Sequence, residues 1–361
     1  MTTVGLYVHI PFCDAKCHYC DFVTFVDKHA DIEAYLNALH FELSQYPGHS
    51  LKTLFIGGGT PSVLNTQQIS KLFSSIRTFF EIRDLEEATV ELNPESVSPE
   101  KLGAFQKEGI NRISFGLQTT NNALLARLGR LHDNERFLTV YQMAREQGFN
   151  DINVDLMLGL PGQTLADWGR SVDEVIALHP EHISAYALKI EPGTEFYREK
   201  LTVDGDLQAD MYLLLCDKLR QAGFLHYEIS NFAKPGHESK HNLRYWKNEE
   251  TIGVGVSSAT YINGRRIKNS GQFLAYLDRC QSGRFPEQTE EHLSDQQRQK
   301  ENIMLGLRLS KGVETETIRS LSLPLVDIFL KRDLARIEGD RFSLTPQGWL
   351  LSNQLFQQLI S

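Results

Sequence analysis

A chain of 361 residues with 41% apolar content can bury a sizeable core, and its 37 basic against 46 acidic side chains, a net charge of −9, leave no broad basic field for nucleic acid or an anionic membrane surface. No apolar run approaches the roughly 20 residues of a membrane span, and the start MTTVGLYVHIPFC lacks a basic leader and a cleavable apolar segment, so a soluble, cytoplasmic chain is expected. Five cysteines in a chain of this size argue against a disulfide framework and for a reducing compartment.

Six β-type runs, at 5–10, 53–59, 88–94, 112–118, 151–161 and 182–190, alternate with helical stretches, and that order predicts a parallel sheet or barrel. Between the first two runs, Ile32, Tyr35, Leu36, Leu39 and Leu43 recur at helical spacing and predict one apolar stripe against the sheet. Ser98 and Pro99 read as the cap and first residue of a helix that Gly109 stops. Beyond residue 200 the rhythm changes to a helix at 207–222, an aromatic- and glycine-rich stretch at 224–270 and a mainly helical tail. The domains expected are therefore 1–200, 201–285 and 286–361. In the tail, RIEGDRFSLTPQGWLL predicts a β-ribbon turning at Gly339-Asp340 and a helix opened by Thr345 and Pro346. Such a wing can bind nucleic acid, but the acidic balance favours a packing or partner role.

Three cysteines crowd into CDAKCHYCDF, directly after the first predicted strand. The spacings of four and three let one loop aim Cys13, Cys17 and Cys20 at one point. Three readings fit: structural zinc recruiting His18 or His9, a redox pair of Cys17 with Cys20, or an iron–sulfur cluster. Fully protein-ligated clusters use four cysteines, and neither Cys216 nor Cys280 has a motif around it. A three-cysteine cluster leaves one iron open to a reacting molecule. After the second predicted strand comes GGGTP, residues 57–61, whose glycines let backbone approach a ligand closely. Neither G-x-x-x-x-G-K-[ST] nor G-x-G-x-x-G is present, so a nucleoside triphosphate or dinucleotide site is not indicated. Glu91, Gln118, Arg130 and Asp155 stand near other strand ends, where a parallel barrel collects its active site, and a buried Glu91 or Asp155 needs a ligand or a cation.

The C-x-x-x-C-x-x-C run with Tyr19 before its last cysteine, together with GGGTP, resembles the radical S-adenosylmethionine (radical SAM) superfamily. The resemblance implies an α/β fold, a partial (β/α)6 barrel with an accessory α/β region and a small winged-helix-like C-terminal domain. It also implies a [4Fe–4S] cluster on Cys13, Cys17 and Cys20, with S-adenosylmethionine on the open iron. Over about residues 4–262 the chain is similar to the subfamily containing oxygen-independent coproporphyrinogen III oxidase. By that similarity Tyr7, Tyr19, Gly58, Gly59, Thr60, Glu91, Gln118, Arg130, Asp155, Lys189 and Ala259 match cofactor-contacting positions.

Three departures point to the radical SAM haem chaperone branch instead of the oxidase. Phe22 stands where the oxidase pattern has a further cysteine, Tyr7 is reached without an N-terminal extension, and HNLRYW at 241–246 resembles the branch signature H-N-x-x-Y-W. His241 is then a candidate haem ligand, with Tyr245 and Trp246 as flat apolar surface; without the family it reads as a loop histidine beside two core aromatics. His237 is a weaker candidate ligand. The branch implies haem as cargo and acceptor haem proteins as partners, membrane-bound ones included, and it allows a homodimer. The rival readings are radical decarboxylation of coproporphyrinogen III, which these departures argue against, and a zinc-stabilised interaction module.

Overall fold

A computed structural model describes residues 2–360, with side chains throughout that span except 320–323 and 358–360. The six predicted runs become β1 (Thr3–Ile10), β2 (His49–Gly58), β4 (Glu87–Leu92), β5 (Arg112–Gln118), β6 (Ile152–Leu158) and β7 (His182–Ala187), with a two-residue β3 (Phe80–Glu81) beside the start of β2. They pair in parallel in the order β1-β2-β4-β5-β6-β7.

Each strand sorts its side chains by the period of two. On β5, Ile113, Phe115 and Leu117 are fully buried, the first two beneath the helical layer, while Arg112, Ser114, Gly116 and Gln118 face inward. The helix Ile32–Leu43 buries all five residues of its predicted stripe, each contributing about 1.5–3 kcal/mol. Ser98 accepts from the Lys101 amide as a cap, Pro99 opens that helix, and Gly109 turns the chain out of it at φ +98°.

The sheet stays open and grows at both edges. Beyond β7 it adds β8 (Leu225–Glu228) and β9 (Asn231–Ala233), antiparallel, with β9 against β7. On the other side β10 (Thr251–Val254) pairs in parallel with β1, followed by antiparallel β11 (Ala259–Ile262), β12 (Arg265–Asn269) and β13 (Gln288–His292). The stretch 224–270, which reads as one mixed region in sequence, is thus divided between opposite edges of one sheet. The helix Lys240–Trp246 lies between its two halves in the chain.

The tail has its own core around Leu307, Phe342, Trp349 and Phe356. Its ribbon of β14 (Val313–Glu314), β15 (Ala335–Glu338) and β16 (Arg341–Leu344) turns at Gly339, at φ +63°, and Thr345 caps the next helix by accepting from the Gly348 amide at 3.1 Å. Among the described residues no helix is long and apolar enough to cross a membrane.

Candidate cluster and cofactor site

The loop after β1 is pinned at several points. Cys13 N donates to Phe25 O, Phe25 N to Pro11 O, and His18 N to Leu128 O. His18 also uses Nδ1 on Arg127 O at 2.9 Å, and His9 uses Nε2 on Val23 O at 3.0 Å and Nδ1 on the Tyr7 hydroxyl at 2.9 Å. These histidines hold the loop and leave the three thiols to face a cavity of about 390 Å³. Cys216 and Cys280 sit in other helices and are free thiols.

Among the described residues no three His, Cys, Asp or Glu side chains are gathered to hold a single ion. A tetrahedral zinc at about 2.3 Å from each sulfur would require that gathering. Burial pushes the Cys13 thiol up to about 11, with the Thr60 hydroxyl acting against it, and burial also raises Cys20. Three thiols on one cavity lining, with Cys216 and Cys280 held elsewhere, fit an iron–sulfur cluster with one iron open.

GGGTP runs directly alongside the cysteine loop. Gly59 N donates to Ile10 O and Thr60 N to Phe12 O, both at 2.8 Å, so a Cβ on Gly59 would stand 2.7 Å from each of those carbonyl oxygens. Gly58, at φ +106°, donates its amide to the Glu91 carboxylate at 3.0 Å. The glycines therefore serve the loop's backbone as well as any ligand. Gly59→Ala is expected to cost about 1–3 kcal/mol, because backbone and not a flexible side chain must yield. Thermal unfolding of the apoprotein checks this, and an unchanged midpoint would mean that the contact relaxes freely.

Two half-buried acids share the inner face. Burial, then the charge of Asp155, pushes Glu91 up to about 7. Burial likewise raises Asp155, against hydrogen bonds from Asn153 Nδ2 at 2.8 Å and Ser114 Oγ at 3.1 Å. A continuous hydrogen-bond chain also joins two of the cysteines. Thr60 Oγ1 donates to Cys13 Sγ at 3.4 Å, Asn93 Nδ2 to Thr60 Oγ1 at 2.8 Å, Arg130 Nη2 to Asn93 Oδ1 at 3.0 Å, and Arg130 Nη1 to Cys17 Sγ at 3.4 Å. Donors aimed at sulfur from both ends are how a protein stabilises thiolate charge and tunes a cluster.

Of the residues singled out from sequence, Tyr19, Gly58, Thr60, Glu91, Gln118, Arg130 and Asp155 line this cavity with the cysteines and Gly59, and Lys189 stands exposed at its edge, paired with Glu191. Gln118 turns out of β5 at φ +72°, where the register with β6 shifts. Tyr7 lies behind the wall, against Phe55, and Ala259 is exposed on β11; neither is on the lining. Asn93, Ser114, Asn153 and Tyr186 also line it and escaped the sequence reading. Their signal was available as polar residues at every second position of strands otherwise buried on both faces.

His241 is placed differently from the expectation. It is 1% exposed, its Nδ1 lies 2.8 Å from Thr53 Oγ1 and its Nε2 3.1 Å from the Tyr245 hydroxyl, and its ring stacks on Phe55. Burial lowers its pKa to about 3, so the ring is neutral. Haem ligation would have to break one of those bonds and unbury the ring. The helix bearing it is fastened at its start by Glu87, which accepts from the Lys240 amide at 2.6 Å and the His241 amide at 3.0 Å. His237 pairs with Asp151 at 3.4 Å, where β6 begins.

The Radical SAM superfamily profile matches residues 7–175, and the HemN C-terminal domain profile matches 293–351. The fold superposes on the solved coproporphyrinogen III oxidase of Escherichia coli, a radical SAM enzyme, with a TM-score of 0.87 at 24% identity, covering 100% of this chain and 90% of that one. The profile match, which contains the cysteine loop, defines a radical SAM protein. Heme chaperone HemW of Bacillus subtilis is 39% identical over 97% of both chains, that of Lactococcus lactis 35% over 98% of this chain and 96% of its own, and that of Escherichia coli K12 36% over 74% of this chain and 73% of its own. The chain belongs to the HemW family of radical SAM haem chaperones.

Proposed function

We propose that this protein is a haem chaperone. It holds a [4Fe–4S] cluster through Cys13, Cys17 and Cys20, binds S-adenosylmethionine beside it, takes up haem as cargo and passes it to acceptor haem proteins in the cytoplasm. The observation that carries the cofactor half is the single cavity on which three thiols meet the glycine run and two half-buried acids. The names of the full-length relatives support the haem half.

When bound, the cluster and cofactor supply one-electron chemistry. The chain's own residues prepare the site for them. Thr60 and Arg130 donate to the sulfurs, and Asn93 holds both donors in place. Glu91, pushed up to about 7, and Asp155, also raised by burial, are suited to an ammonium or a hydroxyl on the cofactor. Phe22, 63% exposed on the cavity lining, presents an apolar ring where the oxidase pattern carries a cysteine.

The test is anaerobic reconstitution followed by haem titration and transfer to an apo-haem protein, read by difference spectra. The expected result is iron with acid-labile sulfide, haem binding, and transfer faster than from haem on albumin. Protoporphyrinogen IX formed from coproporphyrinogen III at a catalytic rate would assign the protein to the oxidase reaction instead. Zinc without iron or sulfide after anaerobic purification would remove the cluster.

A further inference from the structure

We propose that haem lies in a second cavity, of about 1530 Å³, bounded by the β7 edge of the sheet, the helix Lys240–Trp246 and the C-terminal segment around Trp349, with Arg308 pairing a haem propionate. The proposal rests on the haem-chaperone reading and gives it a location.

The cavity exceeds the roughly 300–1,000 Å³ of drug-sized ligand sites, which suits a macrocycle. Flat aromatic side chains line it: Tyr186 and Tyr245, 43% and 42% exposed, with Trp246 and Trp349. Four buried polar atoms of this lining lack partners, the donors Arg308 Nε and Trp246 Nε1 and the acceptors Glu228 Oε1 and Asn231 Oδ1. The Arg308 guanidinium stands 5.3 Å from the Trp246 ring centroid, and among the described residues no carboxylate lies within ion-pair distance of it. Each orphaned donor costs about 1–3 kcal/mol unless a ligand completes it. The two donors stand on Arg308 and Trp246 themselves, so the group missing there is an acceptor, and a cation beside an indole face calls for an anion carried on a flat apolar body. A haem propionate on its ring meets that description.

Glu228 shares the lining and its charge acts on Arg308, but the two make no ion-pair contact. One of its oxygens accepts from Ser230 N at 3.2 Å, and burial pushes its pKa up to about 7. Tyr186, Lys189 and Asn242 belong to both cavities, so a ring seated here has one edge beside the cluster cavity. No His, Cys or Met lies on the described lining. His241 thus reaches the cavity only through the Tyr245 hydroxyl, which makes it a positioning residue for Tyr245.

The experiment titrates haem and haem dimethyl ester, which lacks the propionate charges, into wild-type, Arg308→Gln and Trp246→Phe proteins. It is read by the Soret band and by quenching of tryptophan fluorescence. Arg308→Gln is expected to weaken haem binding at least about tenfold while leaving ester binding and reconstituted iron content at wild-type levels. Trp246→Phe is expected to lose part of the quenching and keep that of Trp349 on the same lining, while Trp168 lies buried in the helix Leu165–Ala177. Equal weakening of haem and ester, or wild-type affinity and quenching in both variants, would overturn the location alone. Wild-type protein that binds no haem would overturn the chaperone reading, and the location with it.

Discussion

Cys17→Ala is expected to leave less than about a tenth of wild-type iron and acid-labile sulfide after anaerobic reconstitution, because two remaining thiols do not hold a cubane. Neighbouring side chains cannot substitute. Both ring nitrogens of His9 are engaged, and His18 is tied to the backbone of Arg127 and Leu128. The contrasting variant is Asn93→Ala, which keeps all three thiols and breaks the chain from Thr60 to Arg130. It should assemble a full complement of iron and sulfide with a more negative reduction potential, since donors to the sulfurs are less firmly held. Iron content in Cys17→Ala equal to wild type would remove that residue from the ligand set. An unchanged potential in Asn93→Ala would show that the hydrogen-bond chain does not tune the cluster.

The second large effect concerns Glu42, which is fully buried in the apolar stripe of the helix Ile32–Leu43. Its carboxyl accepts from Gly255 N at 2.8 Å, Asn269 Nδ2 at 2.6 Å and the Tyr276 hydroxyl at 2.6 Å. Next to it, Tyr35 donates to His9 O at 2.8 Å and accepts from Val256 N, which ties the return from β10 to the end of β1 that carries the cysteine loop. Glu42→Ala would strand the Gly255 amide and the Tyr276 hydroxyl, while Asn269 Nδ2 keeps Gly255 O and Ser258 Oγ, and is expected to cost about 2–5 kcal/mol.

Burial pushes Glu42 up from 4.5 to about 7, so the native state holds its proton over a range where the unfolded chain has lost it. The resulting stabilisation is fully present below about pH 4.5 and is lost as the pH rises through about 7, with a size on the order of 3 kcal/mol. Glu91 and Glu228 are raised to about 7 and act with the same sign. The difference between wild type and Glu42→Gln isolates the one group. Denaturant unfolding of the apoprotein from pH 5 to pH 8 should show the wild type losing more stability than the variant, and parallel curves would overturn the assignment.

Much of the scaffold was legible because it is written in short-range patterns. The six parallel strands, the stripe of the helix Ile32–Leu43, the Ser98 and Thr345 caps and the wing turn at Gly339 each follow from spacing within about a dozen residues. The cysteine loop and GGGTP were legible for the same reason, each being one contiguous run after a strand.

Other features depend on partners distant in sequence. Asn93 acquires its place between Thr60 and Arg130 only once β2, β4 and the segment after the helix Asn122–Arg127 converge. HNLRYW illustrates the limit most clearly. Its helical spacing puts His241 and Tyr245 one turn apart, but nothing local says which of them faces inward. The side chains of Thr53 and Phe55 on β2 decide it, by occupying His241 and leaving Tyr245 to the cavity.

By itself, then, the sequence determined the open α/β sheet, the three thiols and the glycine run beside them, because periodicity and contiguous spacing are local properties of a chain. Only the tertiary structure decided that the stretch 224–270 divides between opposite sheet edges, that His241 is enclosed, and that Arg308 stands unpaired beside Trp246. Strand pairing and burial are settled by which remote segments compete for the same edge or the same face.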